Sequence, residues 1–348
     1  YFIDDLIEVF MEDNFPKNTR KILFSKATNR TYNNDIIQID NWNSIKDKLY
    51  GNHDEYGTVM ASLLLNHSVL NTKIIIGGGN SNVYKINDND GSNYAMKCYP
   101  ERISDTRCRL QTEVHTLDIF QRFNITYVPK NIKHNVDYNI AIYEWIDGNT
   151  IINPNIEDLR QTINFVKQLQ GLAYKTKREE FQLASEACLS ASELMKQIKK
   201  RHERLNLVGS VFPNLAKFLK NTFHPLLEVC RNKCLALWPI ESQLESLPKN
   251  KQILSPSDFG FHNARKNENK LYFIDFEYFG WDDPVKMTAD FLWHPAMDLK
   301  PELSDEWEKS MQHLFLGDHF FQKRLKAAMP LYGMRWVMII LNEYLLDL

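Results

Sequence analysis

Leu254-Ser-Pro-Ser-Asp258-Phe-Gly-Phe-His-Asn263, and then Tyr272-Phe-Ile-Asp275-Phe-Glu277, is the stretch on which the reading of this chain turns. Asp258 and Asn263 stand five apart around a glycine, and Asp275 closes a short apolar run. An aspartate flanked by Phe273, Ile274 and Phe276 is costly to bury without a cation or several donors. The amide oxygen of Asn263 and the carboxylate of Asp275 are hard oxygen ligands. They suit Mg²⁺, which is held by few protein groups together with phosphates. Asp258 is then available to accept a proton from a hydroxyl. The plainer reading is a pair of strands joined by capping and turn carboxylates, and the residues upstream weigh against it.

Upstream, Ile74-Ile75-Ile76 ends in Gly77-Gly78-Gly79-Asn80-Ser81-Asn82 before a second strand begins at Val83. Glycines let a backbone approach a ligand closely, and successive amides form a concave anion site. A strand rather than a helix follows, so this is not the dinucleotide fingerprint. A polar turn, Asp88 to Ser92, leads to a third strand, Tyr94 to Tyr99, which Pro100 stops. Lys97 lies in that strand, where period-two alternation sends it either to solvent or inward. The next segment, Arg107 to Phe120, has helical spacing and carries Glu113, 16 residues beyond Lys97. A carboxylate there holds a lysine charged and aimed at phosphate oxygens. Tyr138 to Trp145 reads as another strand, closed by Asp147-Gly148. Helical segments follow at 156–172, 191–205, 215–237 and 333–346, with strands only near 251–254 and 271–276. The order is that of an α+β chain, a sheet-rich lobe preceding a larger helical one.

With these elements in this order, the chain resembles the aminoglycoside phosphotransferase and choline kinase-like family, small-molecule relatives of protein kinases. The likeness runs from about residue 71 to 348. It implies a bilobal protein-kinase-like fold with a small antiparallel-sheet N-lobe and a larger, mainly helical C-lobe. It implies ATP and Mg²⁺ as cofactors, and transfer of the γ-phosphate to a hydroxyl of a sugar, amino sugar, aminoglycoside or amino alcohol. Gly78, Gly79, Ser81 and Asn82 would form the nucleotide loop, Lys97 the α/β-phosphate contact and Glu113 its partner. The backbone of Glu144 to Ile146 would bind adenine. Asp258 would be the catalytic base, Asn263 and Asp275 the metal ligands, and Asp290 a structural buttress. Residues 1–70 are then an extension packing on the main body, 71–148 the nucleotide-binding lobe and hinge, and 149–348 the lobe with the catalytic and acceptor site.

The chain departs from the family where His-Gly usually precedes the catalytic aspartate. Here Pro256 and Ser257 stand there, which bears on loop geometry, because that histidine organises the backbone. Phe259-Gly260-Phe261-His262 likewise replaces Leu-His-Pro-Gly. A nucleotide-binding scaffold without transfer activity is therefore the alternative reading. A protein kinase fits less well: Phe276-Glu277 follows Asp275, and only 15 residues separate it from Asp290.

Composition sets the boundaries. Of 348 residues, 43% are hydrophobic and 25% charged, as in a globular protein with a sizeable core. A net charge of −2 supplies no field for nucleic acid or an anionic membrane surface. No apolar run approaches the roughly 18 residues a membrane span needs. The partner expected is a small hydroxylated molecule. Five cysteines, an odd and small number, point to free thiols and a cytoplasmic setting. Cys230 and Cys234 with His224 read as one turn of helix rather than a zinc site. Phe259, Phe261, Tyr278, Phe279, Trp281 and Trp293 offer a ring wall for an acceptor or, alternatively, core packing. Glu277, Asp282, Asp283 and Glu343 would either face a cationic acceptor or lie on the surface.

Overall fold

A computed structural model describes residues 2–16, 19, 21–25, 36–39, 53–75, 81–100 and 107–345. The chain divides into two compact units, Tyr1–Pro100 with Lys133–Tyr143, and Glu101–Ile132 with Glu144–Leu348.

The first unit begins with β1 (Phe2–Asp4), the single turn α1 (Ile7–Phe10), β2 (Lys21–Phe24) and β3 (Ile36–Ile39). The strands form a parallel sheet in that order. Phe10, Ile22, Leu23 and Ile39 are buried, and the rings of Phe2, Phe10 and Phe15 meet edge-on at 5.5 to 6.2 Å. The helix α2 (His53–Leu65) follows, then a five-stranded sheet in the order β4-β5-β6-β8-β7. Its strands are β4 (Asn71–Ile75), β5 (Asn82–Asn87), β6 (Asn93–Cys98), β7 (Asn131–Asn135) and β8 (Ile140–Glu144). β4, β5 and β6 pair antiparallel, with Ile75 opposite Val83 and Tyr84 opposite Met96. Alternation sends Tyr84, Ile86 and Met96 to one face. There they meet Ile140, Ile142 and the α2 side chains Met60, Ala61 and Leu64. Residues 53–65, assigned from sequence to an extension, thus build the same core as the strands.

The helix α3 (Arg109–Arg122) falls in the second unit, whereas the sequence order places it with the sheet-rich lobe. Its packing explains this: Phe120 meets Phe276 edge-on at 5.1 Å and Phe279 at 5.3 Å. Among the described residues the unit continues with α4 (Ile156–Lys175), α5 (Ala191–Leu207), α6 (Pro213–Phe218), α7 (His224–Leu237), α8 (Pro284–Trp293), α9 (Pro301–Leu314) and α10 (Phe321–Ile340). Asn155 caps α4 by accepting from the Glu157 and Asp158 amides, and Asp158 returns the bond to the Asn155 amide. This reciprocal arrangement satisfies donors that would otherwise lack partners. A π-helical turn, Leu219–Phe223, joins α6 to α7, so the span read as one helix is continuous but not uniform. Helices α8 and α9 were not read from sequence, though Pro284 and Pro301 stand where a proline suits a first helical turn. The last helix starts well before Gly333, because it runs through Pro330, which reads as a break.

Two short antiparallel ladders sit among these helices. β9 (Ile253–Ser255) pairs with β12 (Gly280–Asp282), and β10 (Ala264–Asn267) with β11 (Lys270–Phe273). Phe165 of α4 stacks on Phe273 at 4.4 Å and on Phe259 at 6.0 Å, and Phe291 stacks on Trp307 at 3.9 Å. Each ring buried this way stabilises the unit by about 1.5–3 kcal/mol, and together they fix the loops between the ladders.

Candidate active site

Two loops cross between the ladders, residues 256–263 from β9 to β10 and residues 274–279 from β11 to β12. Ala264 pairs with Phe273, and one residue further out the Ile274 amide donates to the Asn263 carbonyl at 2.9 Å. Asn263 Nδ2 in turn donates to the Asp258 carbonyl at 3.0 Å. Ladder register therefore brings Asp258, Asn263 and Asp275 to one edge. Phe259 and Phe261 are buried beneath the loop, while the Asp258 side chain keeps 37% of its exposure. Ser257 and Asp275 both have φ of +69°, a left-handed conformation that costs a residue with a Cβ about 1–2 kcal/mol. Ser257 stands where the family resemblance has glycine, which adopts this conformation freely. Three hydrogen bonds hold it there. Its amide donates to Ser255 Oγ at 3.1 Å, its hydroxyl donates to the Ser185 carbonyl at 2.7 Å, and Lys286 Nζ donates to that hydroxyl at 3.3 Å.

The Asp258 carboxylate meets two histidines through one oxygen. His262 Nε2 lies 3.0 Å and His294 Nε2 3.6 Å from Oδ1. The two imidazoles stack at 3.8 Å with 3° between their planes, and Trp336 meets His294 edge-on at 4.5 Å. Burial disfavours the charged form of Asp258. The His262 bond and the His262 and His294 fields outweigh it and hold the carboxyl below its ordinary value. Burial, then His262, pushes His294 down to about 4, so it is neutral at pH 7.

On the other loop, oxygens of Glu113, Asp275 and Glu277 lie within 4.8 Å of one another. Glu113 Oε1 accepts from the Phe276 amide at 3.1 Å, tying α3 to the residue after Asp275. Glu277 accepts from Arg109 at 2.8 Å in a pair whose side chains are each 4% exposed. The Arg107 and Arg109 guanidiniums lie 4.8 and 5.0 Å from the Tyr278 ring centroid.

Behind the loop of residues 256–263 runs a buried charge network. Lys286 Nζ lies 3.2 Å from Asp282 and 3.1 Å from Asp290. Arg335 donates to both Asp290 oxygens at 2.5 and 2.6 Å, and Trp336 Nε1 donates to Oδ1 at 2.9 Å. Arg324 bridges Asp283, at 2.7 Å, and Asp318. Burial raises the Asp282 carboxyl despite Lys286. Burial also opposes Asp290, but Arg335 and Lys286 hold it below its ordinary value. Asp290 thus buttresses the loop through Lys286 and Ser257.

In the first unit, Asn82 opens β5 opposite Cys98, Ser81 precedes it, and Lys97 lies opposite Val83. Lys97 is 7% exposed, so it does not project into bulk water, and its ammonium lies 5.0 Å from the Tyr99 ring centroid. Tyr99 and Tyr143 share a hydroxyl bond of 2.6 Å. Gly78 and Gly79 lie outside the described residues. Glu144 begins the second unit: its amide donates to the Lys130 carbonyl at 2.9 Å and its carboxylate accepts from the Lys130 amide at 3.2 Å. Ile146, two residues on, is half-buried.

Solved structures share this fold. A spectinomycin phosphotransferase in complex with ADP and spectinomycin superposes with a TM-score of 0.55 at 12% identity, over 84% of this chain and 88% of that one. An amicoumacin kinase in complex with AMP-PNP, Ca²⁺ and Ami gives 0.53 at 14% identity, over 84% and 86%. Choline kinase from Cryptosporidium parvum gives 0.54 at 15% identity, over 77% and 82%. The chain has the aminoglycoside phosphotransferase and choline kinase-like fold. No family model matches its sequence, and no curated protein does.

Within that fold, the alternatives left open for the aromatic and acidic side chains can be decided. Phe259, Phe261, Phe279 and Trp281 are at most 5% exposed and belong to the core rather than to a ring wall. Trp293 is exposed, and Tyr278 is faced by guanidiniums. Asp282, Asp283 and Glu277 are buried in ion pairs, so none presents a carboxylate to a cationic acceptor, and only Glu343 is exposed. All five cysteines are free. Among the described residues, neither group close enough to hold a metal includes a cysteine, and no helix is long and apolar enough to cross a membrane. His262, His294, Lys286 and Arg335 were missed as site residues. Only His262, four residues after Asp258, stood near enough in sequence to be found.

Proposed function

We propose that this chain is an ATP-dependent phosphotransferase that moves the γ-phosphate to a hydroxyl of a small molecule. The observation that supports it best is the single edge formed by Asp258, Asn263 and Asp275, tied together by the Asn263 bonds to Asp258 and Ile274. Asn263 and Asp275 are the oxygen donors that Mg²⁺ takes with phosphates, and Asp275 has carboxylates of Glu113 and Glu277 beside it to concentrate negative charge. These residues fit that ion. When bound with ATP, Mg²⁺ neutralises phosphate charge.

The remaining roles belong to the chain itself. Lys97, with Ser81, Asn82, Gly78 and Gly79, holds the phosphate tail. The backbone from Glu144 to Ile146 takes the adenine. Asp258 Oδ1 is occupied by His262, and Oδ2 orients the acceptor hydroxyl and takes its proton late. Catalysis here is mainly alignment and charge neutralisation. The acceptor class is a sugar, amino sugar, aminoglycoside or amino alcohol. The buried state of Asp282, Asp283 and Glu277 argues against selection through a cluster of these carboxylates.

The scaffold reading rests on Pro256-Ser257 standing where His-Gly is expected before Asp258. ADP release, measured with ATP and Mg²⁺ against a panel of sugars, amino sugars and choline-like alcohols, separates the two. Acceptor-dependent ADP release supports the transferase. Nucleotide binding with no release for any acceptor supports the scaffold.

A further inference from the structure

The Asp258 side chain is faced by two imidazole rings. His262 and His294 come from different elements, a one-turn helix in the loop and the end of α8, yet both bring Nε2 to the same oxygen. The His294 tautomer follows from its other nitrogen. Nδ1 accepts from the Ala296 amide at 3.2 Å, so in the neutral ring the proton sits on Nε2, facing Asp258. His262 donates to the same carboxylate across 3.0 Å, and its Nδ1 is buried without a hydrogen-bond partner. Neutral stacked rings tolerate a spacing of 3.8 Å that two imidazolium cations would not. A metal held by these three side chains would force the His294 proton onto Nδ1 and break the Ala296 bond, so the geometry favours a hydrogen-bonded clamp over an ion site.

We propose that the His262–His294 stack is a positioning clamp that fixes the Asp258 rotamer and commits Oδ2 as the proton-accepting oxygen. The inference rests on the phosphotransferase reading for its catalytic consequence, but not for its structural content. With the His262 Nε2–H bonded to Oδ1 at 3.0 Å and the His294 Nε2–H pointing at the same oxygen from 3.6 Å, rotation about the Asp258 side chain is resisted by one bond and one electrostatic contact. Trp336 and the Phe261 anchor keep the two rings in place. His262 is the shorter contact and carries most of the orientation, while His294 holds His262 by stacking.

Two variants at His262 separate hydrogen bonding from bulk. His262→Phe keeps a ring to stack on His294 but removes the donor, whereas His262→Gln restores an N–H at about the same reach and loses the ring. The expected result is a fall in kcat of about 100-fold for His262→Phe, the scale of a misplaced catalytic group. KM for ATP should stay within about twofold, and His262→Gln should recover most of kcat. Equal losses in the two variants, or losses confined to KM, would overturn the clamp. Nitrogen-15 NMR of histidine-labelled full-length chain supplies an arm that needs no activity. A proton on Nε2 is expected at both rings, with His294 as the neutral Nε2–H tautomer, and an Nδ1–H tautomer at His294 would sink the proposal even if phosphoryl transfer is found. Conversely, Nε2–H tautomers in a chain that transfers no phosphate to any acceptor would support the clamp and reject the phosphotransferase reading.

Discussion

Replacing Lys286 with methionine should destabilise the second unit in a way that depends on pH. The ammonium is 2% exposed and lies 3.2 Å from Asp282 and 3.1 Å from Asp290. Methionine keeps the apolar stem and deletes only the charge. Asp290 retains Arg335 and Trp336, so the loss falls on Asp282, which is left with the Cys188 and Asp283 amides at 3.0 and 2.8 Å. A charge pair at this distance and an effective dielectric of about 20 is worth about 5 kcal/mol, and breaking one partner of a buried pair typically costs 3–5 kcal/mol. Proton uptake by Asp282 caps the loss. Protonating a carboxyl whose ordinary value is 3.8 costs about 4 kcal/mol at pH 7 and about 1.6 kcal/mol at pH 5.

The folded pKa of Asp282 is raised, and further so without Lys286, so the folded state binds more protons than the unfolded one across that window. The variant's deficit is therefore largest at neutral pH and shrinks as pH falls toward the unfolded value. For a unit of roughly 240 residues, about 2 °C per kcal/mol translates this into a Tm loss of about 6–8 °C at pH 7 and about 3 °C at pH 5. Thermal and urea melts of wild type and variant at the two pH values measure it. A deficit equal at both, or below about 1 kcal/mol at pH 7, would refute the reasoning. The double variant with Asp282→Asn should recover most of the stability, since no buried anion is then left unpaired.

Asp258→Asn should leave ATP binding intact, as read by calorimetry, and lower turnover by about 10²–10⁴-fold; unchanged turnover removes Asp258 from its role. Because His262 and His294 hold the Asp258 carboxyl below its ordinary 3.8, it stays ionised down to strongly acid pH. The profile of kcat/KM should then show no acid limb from it between pH 5 and 8, and an acid-side pKa near 6 assigned to Asp258 by its loss in the Asn variant would contradict the geometry. Gly280→Ala should cost about 1–3 kcal/mol in urea melts, because a Cβ there would lie 2.5 Å from the Ala184 nitrogen and the Gln182 oxygen, both backbone atoms that cannot swing away. A stability equal to wild type would be inconsistent with the β12 packing.

The nearness of the loops that carry Asp258, Asn263 and Asp275 was legible in sequence because their spacing is set by local events. Asp258, Asn263 and Asp275 lie just beyond the ends of adjacent strands, and strand ends with their turns are written in neighbouring residues. The meander around Lys97 was legible for the same reason. What could not be read were partners chosen across long separations. Asp283 and Asp290 look alike in sequence to surface acids until Arg324 and Arg335, 41 and 45 residues away, close on them. Nothing near His294 marks it as a neighbour of Asp258. The final helix was shortened by Pro330, whose local rule was overridden by burial of Leu331, Tyr332 and Met334 around it. The packing partners of the first-unit helix at residues 53–65 could not be read because its core neighbours Ile140 and Ile142 arrive much later in the chain.

The interleaved path of the polypeptide carries a consequence for biosynthesis. When residue 100 leaves the ribosome, the first unit has only three strands of its larger sheet, and the core beneath them lacks Ile140 and Ile142. Some forty further residues, most of them destined for the other unit, must emerge before that core can seal. Meanwhile the β6 edge stays open to pairing with a stranger, so a nascent chain stalled between these points is an obvious client for a chaperone. An amino-terminal fragment cut at residue 100 should misassemble, whereas one rebuilt by fusing residues 133–143 onto it through a flexible linker should regain its missing strands.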